Sequence, residues 1–254
     1  MKEYQLPEKL NEGIVDGIIE GYRDYLDVRR QKARELKVHG AYAWVKGNHI
    51  DHYVALSCEE YGVTSTVAKA GVTWQYLQFS QKTDKVLFVV KNARYFNMDE
   101  VDKGKDAKGR TRGSKASYMN NLMAINSQVE FTDIPTQTFN QSVQLELLED
   151  FEPIILKAED TVGMDSQYDR FYIATYNIGE DHQIGEIRLW MPNPADNKAY
   201  LISELTPYIG QKSGHLFEIE EELQSVLTQT IAAEGVLDAT AFGIVLDDVE
   251  EQES

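Results

Sequence analysis

The chain has 254 residues and a net charge of −17, and 42% of its residues are hydrophobic. This length allows one large domain or two small ones, and this composition favours an ordered globular protein over a disordered acidic one. Cys58 is its one cysteine. The chain therefore forms no intramolecular disulfide and no four-thiolate zinc site.

The N-terminal residues show no targeting signal. Residues 1–7 lack the basic segment followed by an apolar segment that defines a secretory signal. The longest apolar runs, such as residues 86–90, are far shorter than the roughly 18–20 residues that span a bilayer. We therefore expect a cytoplasmic protein that does not associate with membranes.

The negative charge is concentrated after residue 150. Residues 1–150 carry 20 Lys and Arg against 21 Asp and Glu, whereas residues 151–254 carry 5 against 21, which is −16 of the total −17. Such an asymmetry indicates an acidic face or tail that repels nucleic acid and attracts basic partners. We predict a near-neutral α+β subdomain over residues 1–150, an acidic α+β subdomain over residues 151–246 packed on it, and a frayed acidic tail over residues 247–254.

The first predicted element is a long amphipathic helix over residues 8–37. Its apolar positions recur at three- and four-residue spacing: Leu10, Ile14, Ile18, Tyr22 and Tyr25. Gly13, Gly17 and Gly21 recur every four residues and therefore share one stripe of this helix. Each glycine costs about 1 kcal/mol relative to alanine inside a helix. Three in register indicate that another backbone packs closely against the stripe; a kink near Gly13 is the alternative.

Shorter elements follow in the first part of the chain. We predict a short strand over residues 41–45 and a helix that is capped by Asn48, runs to about residue 60 and closes at Gly62. Strands are predicted over residues 63–79 and 85–90, and the second is apolar enough to be central in a sheet. A polar loop over residues 102–115 then precedes a helix over residues 116–127.

The second part of the sequence, from about residue 143, is predicted to form mainly strands and one acidic helix. Strands are expected near residues 143–148 and 153–157, and a hairpin over residues 170–191 turns at residues 179–182. The alternation of Ile187, Leu189 and Met191 with Arg188 favours a half-buried edge strand that ends at Pro192. A helix over residues 216–233 begins with four acids: Glu218, Glu220, Glu221 and Glu222. The fold class predicted is α+β with a mixed or antiparallel sheet.

The loop over residues 102–115 contains two candidate anion-binding patterns. Residues 104–111 have the spacing of a phosphate-binding loop, with Arg110 where a lysine belongs. That chemistry requires a strand directly before the loop and a helix directly after it, and neither is predicted; a solvated loop is the alternative. By charge alone, five cations close to a helix N-terminus are candidate anion ligands: Lys105, Lys108, Arg110, Arg112 and Lys115.

Two histidines are candidate metal ligands. Residues 49–52 share the last four positions of the H-x-H-x-D-H motif of metallo-β-lactamase-like hydrolases, but Gly47 occupies the position of the first histidine. His49 and His52 instead have the spacing of a helical i, i+3 pair, with Cys58 or Glu59 as a further ligand. A polar helix face without metal is the alternative, and we expect no cofactor.

Other catalytic patterns fail on spacing. A nuclease of the Asp…Glu-x-Lys kind needs an acid two residues before a lysine on a core strand, and the core strand has Val89 at that position before Lys91. The chain contains no Gly-x-Ser-x-Gly elbow. Nothing in the sequence around Cys58 singles it out as a nucleophile.

The charge distribution leads to two functional hypotheses. The first is a non-enzymatic binding or regulatory protein, of the inhibitor or antitoxin type and including nucleic-acid mimics, whose acidic C-terminal part engages a basic protein. Its predicted partner-binding residues are Glu220, Glu221, Glu222, Asp247 and Asp248. The alternative is an enzyme that acts on a phosphate-containing or nucleic-acid substrate through residues 103–115. A bacterial or phage accessory protein fits both, and we expect no strong binding to free duplex DNA.

Overall fold

A computed structural model describes residues 2–70, 74–106, 109–113, 117–134, 167–210 and 217–234. The helices are α1 (Glu8–Glu35), α2 (Lys46–Glu59), α3 (Ser117–Ala124) and α4 (Glu221–Glu234). The strands are β1 (Val63–Ala70), β2 (Trp74–Gln81), β3 (Val86–Asn92), β4 (Arg170–Ile178), β5 (Ile184–Asn193) and β6 (Lys198–Glu204). These elements confirm the predicted α+β class, its long N-terminal helix, its hairpin and its C-terminal helix.

The six strands form one mixed sheet in which their spatial order follows the chain order. Neighbouring strands are antiparallel except β3 and β4, which are parallel and are separated in sequence by α3. Strands from both sides of residue 150 therefore belong to the same sheet. The strands predicted near residues 143–148 and 153–157, and the tail over residues 247–254, lie outside the described residues.

The sheet separates two hydrophobic cores. Alternate side chains of β4 face opposite ways, so Tyr172 and Ala174 pack beneath α1 and α2 while Phe171 and Ile173 pack beneath α3. The strands β3 and β4 are buried on both faces, as expected for parallel neighbours in the middle of a sheet. This arrangement gives three layers, with α1 and α2 on one side of the sheet and α3 on the other.

The glycine stripe of α1 packs directly against the backbone of α2. A methyl group on Gly17 would lie 2.5 Å from Cα of Val54, and one on Gly21 would lie 2.6 Å from Cα of Ile50. No side chain larger than hydrogen fits at such distances without movement of the backbone. The predicted close approach is confirmed, and α1 continues without interruption through the stripe from Glu8 to Glu35.

Several predicted boundaries were wrong. Gly40–Ala43 forms a 3-10 turn rather than a strand, and α2 begins at Lys46 rather than after a cap at Asn48. The predicted strand over residues 63–79 is instead two paired strands, β1 and β2. The helix α4 begins at Glu221 rather than near residue 216. Phe217 precedes the helix, and its main chain forms hydrogen bonds of 2.8 and 3.0 Å with the side-chain amide of Gln183.

The strand β5 is not an edge strand. It lies between β4 and β6, and it continues through Pro192 to Asn193. The alternation that suggested an edge arises because Ile187, Leu189 and Met191 face the core beneath α1 and α2. Arg188 lies on the other face, where it forms a 2.9 Å ion pair with Glu204 of β6.

Candidate binding surfaces

An acidic row runs along the exposed flank of α1. Its members recur every four residues and are partly exposed, and we define the acidic row as Glu12, Asp16, Glu20 and Asp24. A rise of 1.5 Å per residue spaces successive carboxylates about 6 Å apart along the helix axis. Because the glycine stripe holds α1 against α2, the row is displayed on a rigid support. Sequence reasoning compared the charge of the two parts of the chain and missed this row, although its four-residue spacing was visible.

Neighbouring groups order two carboxylates of the acidic row. Glu20 pairs with Arg23 one turn later on α1, and Asp24 Oδ2 lies 2.6 Å from Nδ1 of His49 on α2. The next acid on the helix, Asp27, pairs with Arg30. The flank therefore combines carboxylates with a few local counter-charges, which hold the side chains in defined positions.

The acidic start of α4 contacts the basic end of α1. Arg34 Nη2 lies 3.3 Å from Oε2 of both Glu220 and Glu222, and Arg30 Nη2 donates to the Glu218 carbonyl oxygen at 3.2 Å. Two of the predicted partner-binding glutamates are thus engaged within the chain, whereas Glu221 is exposed. Exposed ion pairs of this kind stabilise weakly. Asp247 and Asp248 lie outside the described residues.

Apolar side chains anchor α4 to the rest of the molecule. Phe217 packs edge-on against Tyr22 with ring centroids 5.3 Å apart. Leu223 and Leu227 are buried in the core beneath α1. Burial of these three side chains contributes far more than exposed ion pairs do, so the acids of α4 stand on a firmly attached element.

The basic loop is folded back on itself. Lys105 and Thr111 form an isolated antiparallel bridge, and the Lys105 amide donates to the Tyr95 carbonyl at 2.8 Å. Arg110 binds Asp106 through both its main-chain amide and Nε, at 2.9 Å each. Arg112 Nε donates to the Lys105 carbonyl at 3.0 Å. Lys108 and Lys115 lie outside the described residues, and the anion site stays a prediction.

The phosphate-loop spacing does not occur in the required setting. The preceding strand, β3, ends at Asn92, and a 3-10 turn and further loop separate it from Gly104. Gly104 and Gly109 both have positive φ angles, +65° and +79°. These two glycines permit the turns of the folded loop.

The two candidate metal ligands have different surroundings on α2. His49 binds Asp24 and packs against Tyr25, whereas His52 is exposed and lies against Tyr53. Within the ranges that the structure describes, no group of three or more His, Cys, Asp or Glu side chains is placed to hold a metal ion. Cys58 points into the core and is fully buried, so it does not complete a site with the histidines.

Asp51 is a partly buried carboxyl group that sequence reasoning noted only as part of the histidine motif. Its Oδ2 accepts a 2.9 Å hydrogen bond from the amide of Leu77, a residue of β2 that does not pair with β3. Burial raises the pKa of Asp51 to about 7. The pKa values of Tyr76 and Tyr176 are also raised, first by burial and further by the Asp51 charge. This group ties α2 to the β1–β2 hairpin.

Comparisons with protein-family models, curated proteins and solved structures found no match for this chain. Among the helices in the described ranges, none combines the length and apolar character needed to cross a membrane. Function therefore has to be inferred from the chemistry of the surfaces described above.

Proposed function

We propose that this protein is a non-enzymatic binding protein whose acidic surface engages a basic surface of another protein. The acidic row on α1 carries this proposal, because it displays four carboxylates at regular spacing on a rigid helix. A row of fixed negative charges is the feature by which a basic, nucleic-acid-binding surface recognises a phosphate backbone. Inhibitors and antitoxin-like regulators of such proteins are the class that fits.

Two features support the proposal. The contact between α1 and α2 holds the acidic row in place before a partner binds, and this lowers the entropic cost of binding. The charge of −16 after residue 150 adds a long-range field that accelerates encounter with a basic protein. The exposed Glu221 and the ion-paired Glu220 and Glu222 lie at the basic end of α1, where a competing cation on the partner would exchange with Arg34.

The alternative of a phosphate-directed enzyme receives less support from the geometry. Arg110 and Arg112 already bind groups within the loop, through Asp106 and the Lys105 carbonyl respectively. An anion would have to displace these contacts. We therefore retain the binding function as the conclusion.

A matched pair of variants tests this function. One carries Glu12→Gln, Asp16→Asn and Glu20→Gln, and neutralises the acidic row. The control carries Asp99→Asn, Glu130→Gln and Glu180→Gln, which remove the same charge from exposed positions outside α1. Proteins retained by the wild-type chain are identified by mass spectrometry, and their association kinetics are then measured with each variant.

The proposal predicts a partner whose association slows about tenfold with the row variant at low salt, while dissociation changes less. The control variant should bind nearly as fast as the wild type. Equal association rates for the two variants would refute a role for the acidic row, and submicromolar binding to free duplex DNA would favour the nucleic-acid alternative.

A further inference from the structure

The strand β1 lies at the edge of the sheet. It pairs with β2 along all eight of its residues, and no other strand in the described part of the chain pairs with its second edge. Its four consecutive residues Thr64, Ser65, Thr66 and Val67 are exposed, so solvent reaches both faces of the strand. The outer half of the hairpin therefore projects from the sheet, and within the described ranges no strand pairs with its outer row of main-chain groups.

This edge lacks most of the features that prevent pairing with another strand. Proteins usually protect edges with proline, bulges, short strands or repeated charge. Here the strand is eight residues long, contains neither proline nor glycine, and carries a single charge at Lys69. Its exposed residues include three of β-branched type, which favour pairing.

We propose that β1 pairs in antiparallel fashion with β1 of a second copy of this chain, so that one continuous sheet runs through a twofold dimer. Such an interface is isologous, because the same patch is used by both subunits. The charges around β1 favour a second copy of this chain, rather than a different protein, as the binding partner.

Side-chain alternation restricts the possible registers. Residues that lie opposite each other must point to the same face of the sheet, so odd-numbered residues pair with odd-numbered ones. A twofold axis through Thr66 meets this condition and aligns seven residues of each strand. It places Val63 opposite the partner's Lys69 and Thr66 opposite the partner's Thr66.

This register brings opposite charges together twice. Val63 is preceded closely by Glu59 and Glu60, both exposed at the C-terminal end of α2. Lys69 shares the strand face of Val63, whose side chain packs in the core beneath α1 and α2. The partner's Lys69 therefore approaches two carboxylates and the negative end of a helix dipole, and symmetry repeats this contact.

The dimer is expected to be of moderate affinity. We expect one strand–strand contact to bury less than the roughly 1,200 Å² that is the lower limit for standard interfaces, and net charge of the same sign opposes association. We therefore expect a Kd on the order of 10 µM. Sedimentation velocity over a series of protein concentrations that brackets this value measures it.

Charge exchange tests the proposed contact. Lys69→Glu should weaken the dimer about tenfold, and Glu59→Lys with Glu60→Lys should do the same, because each homodimer then juxtaposes like charges. An equimolar mixture of these two variants should recover dimerisation, since both contacts become attractive in the heterodimer. Lys82→Glu, at an exposed position in the turn after β2, is the matched control.

Cysteine cross-linking tests the register. Paired residues in an antiparallel ladder have Cα atoms about 4.5–5.5 Å apart, which lies within the range that a disulfide spans. Thr66→Cys should therefore oxidise to a covalent dimer. Thr64→Cys is the control, because its sulfur would lie about 13 Å from its counterpart in this register. The native Cys58 is fully buried.

Three results would overturn the proposal. If the wild-type chain remains monomeric at every concentration, β1 does not pair with a second copy of the chain. If Lys69→Glu does not weaken the dimer, or if mixing the variants does not restore it, the proposed charge contact is ruled out. Equal cross-linking of Thr66→Cys and Thr64→Cys rejects the register.

Discussion

The side-chain amide of Asn126 donates the hydrogen bond that the nitrogen of Pro192 cannot supply to β4. The β4–β5 ladder begins at Ile173 opposite Trp190, and two residues further its register leads to Phe171 and Pro192, which has no N–H to donate. Asn126 Oδ1 accepts from the Phe171 amide at 2.7 Å. Its Nδ2 donates to the carbonyl oxygens of Phe171 and Pro192, at 3.0 and 2.8 Å. One buried side chain thus bridges two strands where their ladder is interrupted.

Removing this amide should destabilise the fold strongly. Asn126→Ala leaves three buried main-chain groups without these partners, and we expect the free energy of unfolding to fall by about 3–5 kcal/mol. Urea denaturation measures the change. Asn120→Ala, at an exposed position on α3, is the control and should lie within about 0.5 kcal/mol of the wild type. A loss below about 1 kcal/mol for Asn126→Ala would contradict the bridging role.

Substitution by alanine should have opposite effects on stability at Gly17 and at Gly47. Gly17→Ala forces a methyl group into the α2 backbone, and should cost about 2–3 kcal/mol. Gly47 lies in the first turn of α2, and a methyl group added there would have no neighbouring atom within 4 Å. Gly47→Ala should therefore be neutral or stabilise by up to about 1 kcal/mol. Thermal and urea unfolding compare the two. Equal effects would show that helix propensity, rather than close packing, decides both positions.

Asp51 should make stability fall as the pH rises. Its pKa is raised from 3.8 to about 7 on folding, so between these values the folded state binds more protons than the unfolded state. The contribution is therefore fully present below pH 3.8 and is lost as the pH rises to about 7.

Asp51→Asn removes this titration and keeps an oxygen for the Leu77 amide. We expect the variant to exceed the wild type in stability above pH 7 by on the order of 2 kcal/mol, with the difference shrinking towards pH 4. Unfolding free energies across this pH range test the expectation, and Asp99→Asn is the surface control. A difference that does not vary with pH would rule out Asp51 as the titrating group.

Apolar contact, rather than ion pairing, should hold α4 in place. Phe217→Ala removes a buried ring and should cost about 3 kcal/mol. Glu220→Gln with Glu222→Gln removes the contacts to Arg34 and should cost less than about 1 kcal/mol. Urea denaturation and proteolysis near α4 compare these variants. The reverse order of effects would mean that the charged contact is the anchor.

Cys58 should be unreactive in the folded protein. Burial raises the pKa of its thiol to about 12, which lowers the thiolate fraction near neutral pH by about a thousandfold relative to a free cysteine. Labelling with a thiol reagent should therefore be slow in buffer and rapid in denaturant. Fast labelling of the native chain would show that this helix opens readily.

The long periodic segments could be predicted because their structure depends on local spacing. Leu10, Ile14 and Ile18 define one apolar stripe of α1 whatever the rest of the chain does, and Gly17 marks the stripe that another helix must approach. The hairpin over residues 170–191 was predicted for the same reason. In each case the pattern extends over enough residues to outweigh single exceptions.

The strand order and the extent of β5 could not be predicted from local signals. Pro192 was interpreted as a strand end because proline cannot donate to a ladder. The strand nevertheless continues, because Pro192 and Asn193 pair with β6 and because Asn126, 66 residues away in sequence, donates to the Phe171 carbonyl on the β4 side. The strand β6 was missed altogether. Its pairing turns β5 from a predicted edge into an interior strand.

The sequence by itself determined the fold class, the long helix with its glycine stripe, and the excess of acids after residue 150. Only the tertiary structure decided which charges meet. Arg34 contacts Glu220 and Glu222 across separations of 186 and 188 residues, and Asp51 reaches the amide of Leu77. Hydrogen bonds and ion pairs form only when two groups come within about 3–4 Å, and that distance is set by the packing of α1, α2 and the sheet.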